Sequence, residues 1–163
     1  TAGITRWPQA QLDMVRLGIG LYGFDGALSH NKGLQTVAVL KTTVTQVKNL
    51  KPRETVGYGR AGVLPHGGKI ATVKIGYADG YSRKFGNGVG TMLINGKKVP
   101  TIGAICMDMC MLDVSGLEVR IGDEVIVFNH QHSIVDLAKQ LDTIPYEILT
   151  NVSQRVKRVY FYE

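Results

Sequence analysis

Tyrosines set beside glycines are the first residues in this sequence whose surroundings suggest chemistry. Residues 56–60 read Val-Gly-Tyr-Gly-Arg, so Tyr58 stands between two residues that allow backbone conformations denied to side-chain-bearing ones. Two readings stay open: a turn tyrosine packed on a sheet rim, or a phenol used for hydrogen bonding or proton transfer. Free tyrosine has a pKa of about 10, so work as a base near neutrality needs cationic neighbours or hydrogen bonds that favour phenolate. Residues 75–83, Ile-Gly-Tyr-Ala-Asp-Gly-Tyr-Ser-Arg, hold Tyr77, Asp79, Tyr81 and Arg83, a dense polar rim for one loop. Cys106-Met107-Asp108-Met109-Cys110 has a C-x₃-C spacing with no second ligand pair nearby. On a strand the two thiols would share one face without forming a ligand cage, so two inert cysteines and no metal are expected. Asp108 is the odd polar residue there and suits a rim. Gly18 and Gly20 flank Ile19 close to Arg16. Backbone N–H groups opened by such glycines can cradle a phosphate, although neither established phosphate-loop spacing is present. His130 and His132 read as surface residues.

These groups need elements to hold them. Val- and Thr-rich segments at 34–47 and 70–75 read as strands. Residues 91–94 and 98–102 pair across Asn95-Gly96, a strong hairpin signal. Further strands are expected at 111–114, 124–128 and 155–161. One helix stands out at 133–141, where Ile134, Leu137, Ala138 and Leu141 fall at i, i+3, i+4 and i+7. Ser133 with Asp136 resembles a capping box, and Pro145 keeps this helix from running further. Seven or eight short strands with one helix predict a mainly β fold, a closed or nearly closed barrel. Residues 14–23 differ: a short apolar run broken by three glycines, too short to stand alone, followed by a loop at 25–33.

The chain has 163 residues, with 19 Lys and Arg against 13 Asp and Glu, a formal charge of +6. Hydrophobic residues make up 44% and charged residues 20%, which suits a packed core and excludes a disordered chain. The length fits one domain, or one domain with a piece of another. Basic residues are densest at Arg155, Lys157 and Arg158, without interleaved stacking aromatics, so no nucleic-acid partner is expected. No apolar run is long enough for a membrane helix and no signal segment opens the chain. A cytoplasmic location and no membrane segment are therefore expected. Two cysteines do not make a secreted disulfide framework. The start, Thr1-Ala2-Gly3-Ile4, reads as mid-protein, so a fragment is expected.

Taken in order, the stretches 13–19 with Tyr22-Gly23, 56–59, 75–83, 103–108, 143–147 and 153–156 resemble the C-terminal part of alanine racemase. That family is a fold-type III pyridoxal-phosphate enzyme with a (β/α)₈ barrel followed by a β-domain. The resemblance covers essentially the whole chain. It implies that residues 1–27 are the tail end of the barrel domain and 28–163 the C-terminal β-domain. It further implies catalysis by Tyr58, acting in the active site of the other subunit of a homodimer. Arg16 resembles the arginine facing the pyridine nitrogen of pyridoxal 5'-phosphate. Gly18 and Ile19 resemble the phosphate cradle, with the Thr1 hydroxyl and Tyr146 reaching the same phosphate. Met107 resembles the residue whose N–H meets the substrate carboxylate, and Tyr77, Arg83 and Asp108 match the substrate access channel. The substrate is a small amino acid, L- or D-alanine for peptidoglycan. The cofactor-binding lysine, a ring-stacking histidine and a carboxylate-steering arginine belong to the barrel half, so this piece alone is expected to be inactive. Ala104 departs from relatives that carry arginine in the channel. Alternatives are a serine racemase of the same family, a related pyridoxal-phosphate decarboxylase, and a non-catalytic β-barrel binding module.

Overall fold

The computed structural model describes residues 2–25 and 33–161. Residues 1–39 and 40–163 form two compact units. The first holds a short helix α1 (Ala2–Arg6) and two 3-10 turns, Pro8–Ala10 and Ile19–Tyr22. Ile19, Phe24 and Asp25 are buried in it. The Thr5 hydroxyl donates to Asp25 Oδ2 at 2.9 Å, and the Gln11 amide donates to the Ile4 carbonyl at 3.0 Å.

The second unit carries strands β1 (Leu40–Leu50), β2 (Thr55–Val56), β3 (Gly62–Val63), β4 (Gly68–Val73), β5 (Thr91–Ile94), β6 (Lys97–Ile102), β7 (Cys110–Asp113) and β8 (Glu124–Phe128). Six of them close a barrel in the order β1-β4-β7-β6-β5-β8, all pairs antiparallel. The long strand β1 makes closure work. Its first part pairs with β8 and its second with β4, with register shifts between Leu40 and Lys41 and between Val44 and Gln46. Such bulges bend a strand so that it can serve two neighbours. Val44, Val73, Met92, Ile94, Leu112 and Val125 fill the interior. Each fully buried side chain of this kind contributes about 1.5–3 kcal/mol. The remaining pair, β2 and β3, forms a separate two-stranded ribbon.

The hairpin across Asn95-Gly96 and the strand at 124–128 match the sequence expectation. The strand expected at 34–47 instead starts at Leu40 and runs to Leu50. Residues 37 and 39 have strand-like alternation but no partner strand, and their valines stay exposed. The helix expected at 133–141 is α2 (Ile134–Gln140). Ser133 Oγ accepts the Asp136 N–H at 3.2 Å and donates to the Asp136 carboxylate at 3.1 Å. A helix not expected, α3 (Pro145–Thr150), follows directly. α2 ends before Pro145 is reached, in a turn with Asp142 at φ +53°, and Pro145 opens α3, since proline is well suited to the first helical position.

The strand expected at 155–161 is not formed. A closed barrel offers no free edge for another strand. Carbonyls in this region are taken instead by the Arg158 guanidinium, which donates to Val152, Ser153 and Val156. His132 corrects a second expectation: it is fully buried, and its Nε2 hydrogen donates to the Thr91 carbonyl at 2.8 Å. Burial pushes its pKa down. Among the described residues no helix is long and apolar enough to cross a membrane.

Candidate active-site face

Tyr58 projects from the turn joining β2 to β3. Its two glycines both take left-handed backbone conformations, Gly57 at φ +76° and Gly59 at φ +63°. The turn closes through the Arg60 N–H on the Gly57 carbonyl, at 3.2 Å, and Arg60 Nε donates to Thr55 Oγ1 at 3.1 Å. With the backbone turned this way, 77% of Tyr58 is exposed. Within this unit its ring is therefore not packed on the sheet rim. Among the described residues no side-chain hydrogen bond engages its hydroxyl. Tyr58 borders an open depression of about 410 Å³, whose other walls include Gln46, Lys48, Thr72, Cys106 and Met111.

A second group forms where the loop after β4 meets the loop before β7. The Tyr77 N–H donates to the Cys106 carbonyl and the Ala78 N–H to the Met107 carbonyl, both at 3.0 Å. Asp79 Oδ2 accepts the Gly76 N–H at 2.8 Å. Arg155 Nε donates to Asp79 Oδ1 at 2.7 Å, and Arg155 Nη2 donates to Asp108 Oδ1. These two carboxylates raise the guanidinium pKa further still. Tyr77, Arg83, Met107 and Asp108 are all exposed here. Tyr77, Met107 and Asp108 are thus brought together on adjoining loops. Asp108 is ion-paired, which its lone position in an apolar stretch did not foretell. Arg155 reads in the sequence only as part of a basic cluster and of the matched stretch 153–156, and neither points to its two carboxylate partners.

Tyr81 does not join the polar rim read from 75–83. It is buried, stacked on Phe85 with ring centroids 4.5 Å apart and planes 17° from parallel. Burial raises its pKa well above the ordinary value, and no hydrogen-bond partner reaches its hydroxyl. The thiols are also separated: Cys110 is buried on β7, while Cys106 lies in the loop before it and is half-buried. They do not share a strand face. Burial pushes the Cys110 thiol up to about 12 and raises Cys106, which leaves both largely protonated and poor nucleophiles near neutrality. Among the described residues no cluster could hold a metal.

The residues matched to a cofactor lie in both units. In the first, Arg16 is exposed and Gly18 precedes the 3-10 turn Ile19–Tyr22. Thr1 lies outside the described residues. In the second, Tyr146 is exposed at the second position of α3. A guanidinium, the backbone N–H groups at the start of a turn and a phenol are all hydrogen-bond donors, with no carboxylate among them. Each of these donors by itself suits a phosphate ester or an aromatic ring nitrogen.

The family model described as "Alanine racemase, C-terminal domain" matches residues 37–160. Alanine racemase 2 of Caldanaerobacter subterraneus subsp. tengcongensis is 40% identical over 169 residues, which cover 99% of this chain and 43% of that protein. The structure of alanine racemase from Clostridium difficile 630 superposes with a TM-score of 0.91 at 36% identity, over 99% of this chain and 43% of that one. Alanine racemase from Bartonella henselae, solved with covalently bound pyridoxal phosphate, gives a TM-score of 0.87 at 35% identity, over 91% and 42%. The chain thus spans less than half the length of these relatives.

Proposed function

The chain belongs to the alanine racemase family through its C-terminal domain, and from that premise we propose that it is the C-terminal part of a pyridoxal-phosphate-dependent racemase interconverting L- and D-alanine for cell-wall peptidoglycan. The observation that carries the reading is Tyr58, an exposed phenol raised on a two-glycine turn inside the stretch matched to the family. Inversion at Cα needs an acid or base on each face of the carbon. Tyr58 serves one face, giving or taking the proton at Cα through its hydroxyl. The lysine of the other face belongs to the barrel half of the family fold.

Bound pyridoxal phosphate supplies the electron withdrawal that acidifies the substrate Cα–H. When bound, its phosphate would be held by Gly18 and Ile19 with Tyr146 and Thr1, and Arg16 would serve its ring nitrogen. A guanidinium has five donors, no acceptor and holds its proton tightly. Arg16 would therefore offer that nitrogen a hydrogen bond rather than a proton, which would moderate the electron withdrawal the cofactor supplies. The Met107 N–H receives the substrate carboxylate, and Tyr77, Arg83 and Asp108 line the approach. Residues 1–27 are the tail of the barrel domain and 28–163 the β-domain. The working form is a cytoplasmic homodimer in which Tyr58 reaches the partner's site. The exposure of Tyr58, Tyr77 and Met107 supports that assembly, because large apolar groups left in solvent suit an interface. The piece alone is inactive.

Tyr58→Phe in the full-length protein tests the reading. It removes only the hydroxyl, so turnover should drop about 10²- to 10⁴-fold, or about 3–5 kcal/mol, with a smaller effect on substrate binding. In deuterated water, α-proton exchange should survive for one alanine enantiomer and nearly vanish for its mirror image. Equal residual exchange for both would remove Tyr58 from catalysis.

A further inference from the structure

Three segments converge around Arg155, a residue given no part in the mechanism above. The loop at 76–80 and the loop at 106–108 are joined by the backbone hydrogen bonds of Tyr77 and Ala78. The segment after α3 is tied to the first loop by the Ser153 N–H on the Asp79 carbonyl, at 3.1 Å. The approach is so close that a Cβ on Gly76 would collide with the Cys106 and Met107 carbonyl oxygens. Each loop contributes one carboxylate to this junction, Asp79 and Asp108. Two carboxylates served by one cation depend on it to offset their mutual repulsion.

Arg155 bonds both of them, through Nε to Asp79 at 2.7 Å and through Nη2 to Asp108. Asp79 is the sheltered member, its side chain only 13% exposed, and its second oxygen is fixed by the Gly76 N–H. A planar guanidinium presents donors at fixed angles and can hold two acceptors in a set relation; an ammonium is a single charge without that fork. An isolated exposed ion pair would do little, whereas a shared, hydrogen-bonded network with ideal geometry can matter.

We propose that Arg155 is a positioning residue: by holding Asp79 and Asp108 on one guanidinium, it locks the Tyr77 loop to the Met107 loop and so sets the geometry that receives the substrate carboxylate. The proposal rests on the racemase reading for its consequence, but not for the clamp itself. Asp108 acts here through Arg155, as an anchor.

The test uses the full-length protein and the variants Arg155→Met, Arg155→Lys and Asp108→Asn. Hydrogen exchange at the Tyr77 and Ala78 amides should quicken about tenfold or more in Arg155→Met, while the amides of β4 and β7 keep their protection. KM for alanine should rise about tenfold with kcat changed by less than about threefold. Arg155→Lys should recover part of the KM, and Asp108→Asn should loosen the same two amides less, because the Asp79 bond remains. Unchanged exchange at Tyr77 and Ala78 in Arg155→Met overturns the clamp. So does loosening of the whole barrel with kcat and KM failing together, which marks a general structural role. If Arg155→Met does not fold, Asp108→Asn decides: tight amides there overturn the proposal. A wild-type protein without racemase activity removes the function reading, while the exchange measurement still decides the clamp.

Discussion

The turn that carries Tyr58 and the loop that carries Tyr77 and Tyr81 are both tyrosine–glycine segments of the β-domain, yet they are held in different ways. The first is a two-stranded ribbon outside the barrel, closed by one backbone hydrogen bond and shaped by left-handed glycines. A Cβ on Gly59 would meet nothing. The second is pressed against a neighbouring loop and cross-tied by two backbone hydrogen bonds and a shared guanidinium. It anchors one tyrosine in the core. The first seats Val56 in a core cluster with Leu50, Ile70, Ile102 and Met111 and leaves the tip with Tyr58 open, whereas the second is fixed along its length by contacts with another loop.

Substitutions at the two glycines should separate these modes most sharply. Gly76→Ala drives a methyl into two carbonyl oxygens, and chemical denaturation should show a loss of about 3 kcal/mol. Gly59→Ala meets no neighbour and bears only the strain of its φ, so it should lose about 1 kcal/mol. Equal losses at the two positions would break the comparison. Tyr81→Phe should go the other way. Its hydroxyl is buried without a partner, so removing it should stabilise by up to about 1 kcal/mol in a thermal melt. A loss would show that the hydroxyl is satisfied, by an ordered water for instance.

A smaller effect should come from His132 in the core. Burial lowers its folded pKa below the ordinary 6.5. Between the two values the unfolded chain binds more protons, so stability is full above about pH 6.5 and declines as the pH falls below it. Melting temperatures from pH 7 to pH 5 should show this slope, and His132→Gln should flatten it. An unchanged slope in the variant would assign the dependence to other groups.

Much of the barrel was legible because strand signals are local. The Asn95-Gly96 hairpin and the Ser133-capped helix each depend on residues a few positions apart, and both formed. The failures have a common cause. Residues 155–161 have strand-like composition, but a strand needs a partner edge, and closure removed it. His132 looked like a loop residue because nothing nearby in sequence shows that Thr91 accepts its hydrogen bond. Tyr77 and Tyr81 share one motif and differ by four positions; whether each faces solvent or core depends on turns whose shape comes from contacts with distant segments.

The sequence by itself determined the polypeptide's family, the strand-rich character of the domain, and the two-glycine setting of Tyr58. Those features reside in residue types and short spacings, and in backbone freedom that belongs to glycine wherever it sits. Only the tertiary structure decided that Asp79, Asp108 and Arg155 form one network. The two carboxylates lie 29 positions apart and the arginine 47 beyond the second. Hydrogen bonds of a few ångströms are set by where barrel closure delivers the loops, and separation along the chain does not encode that distance.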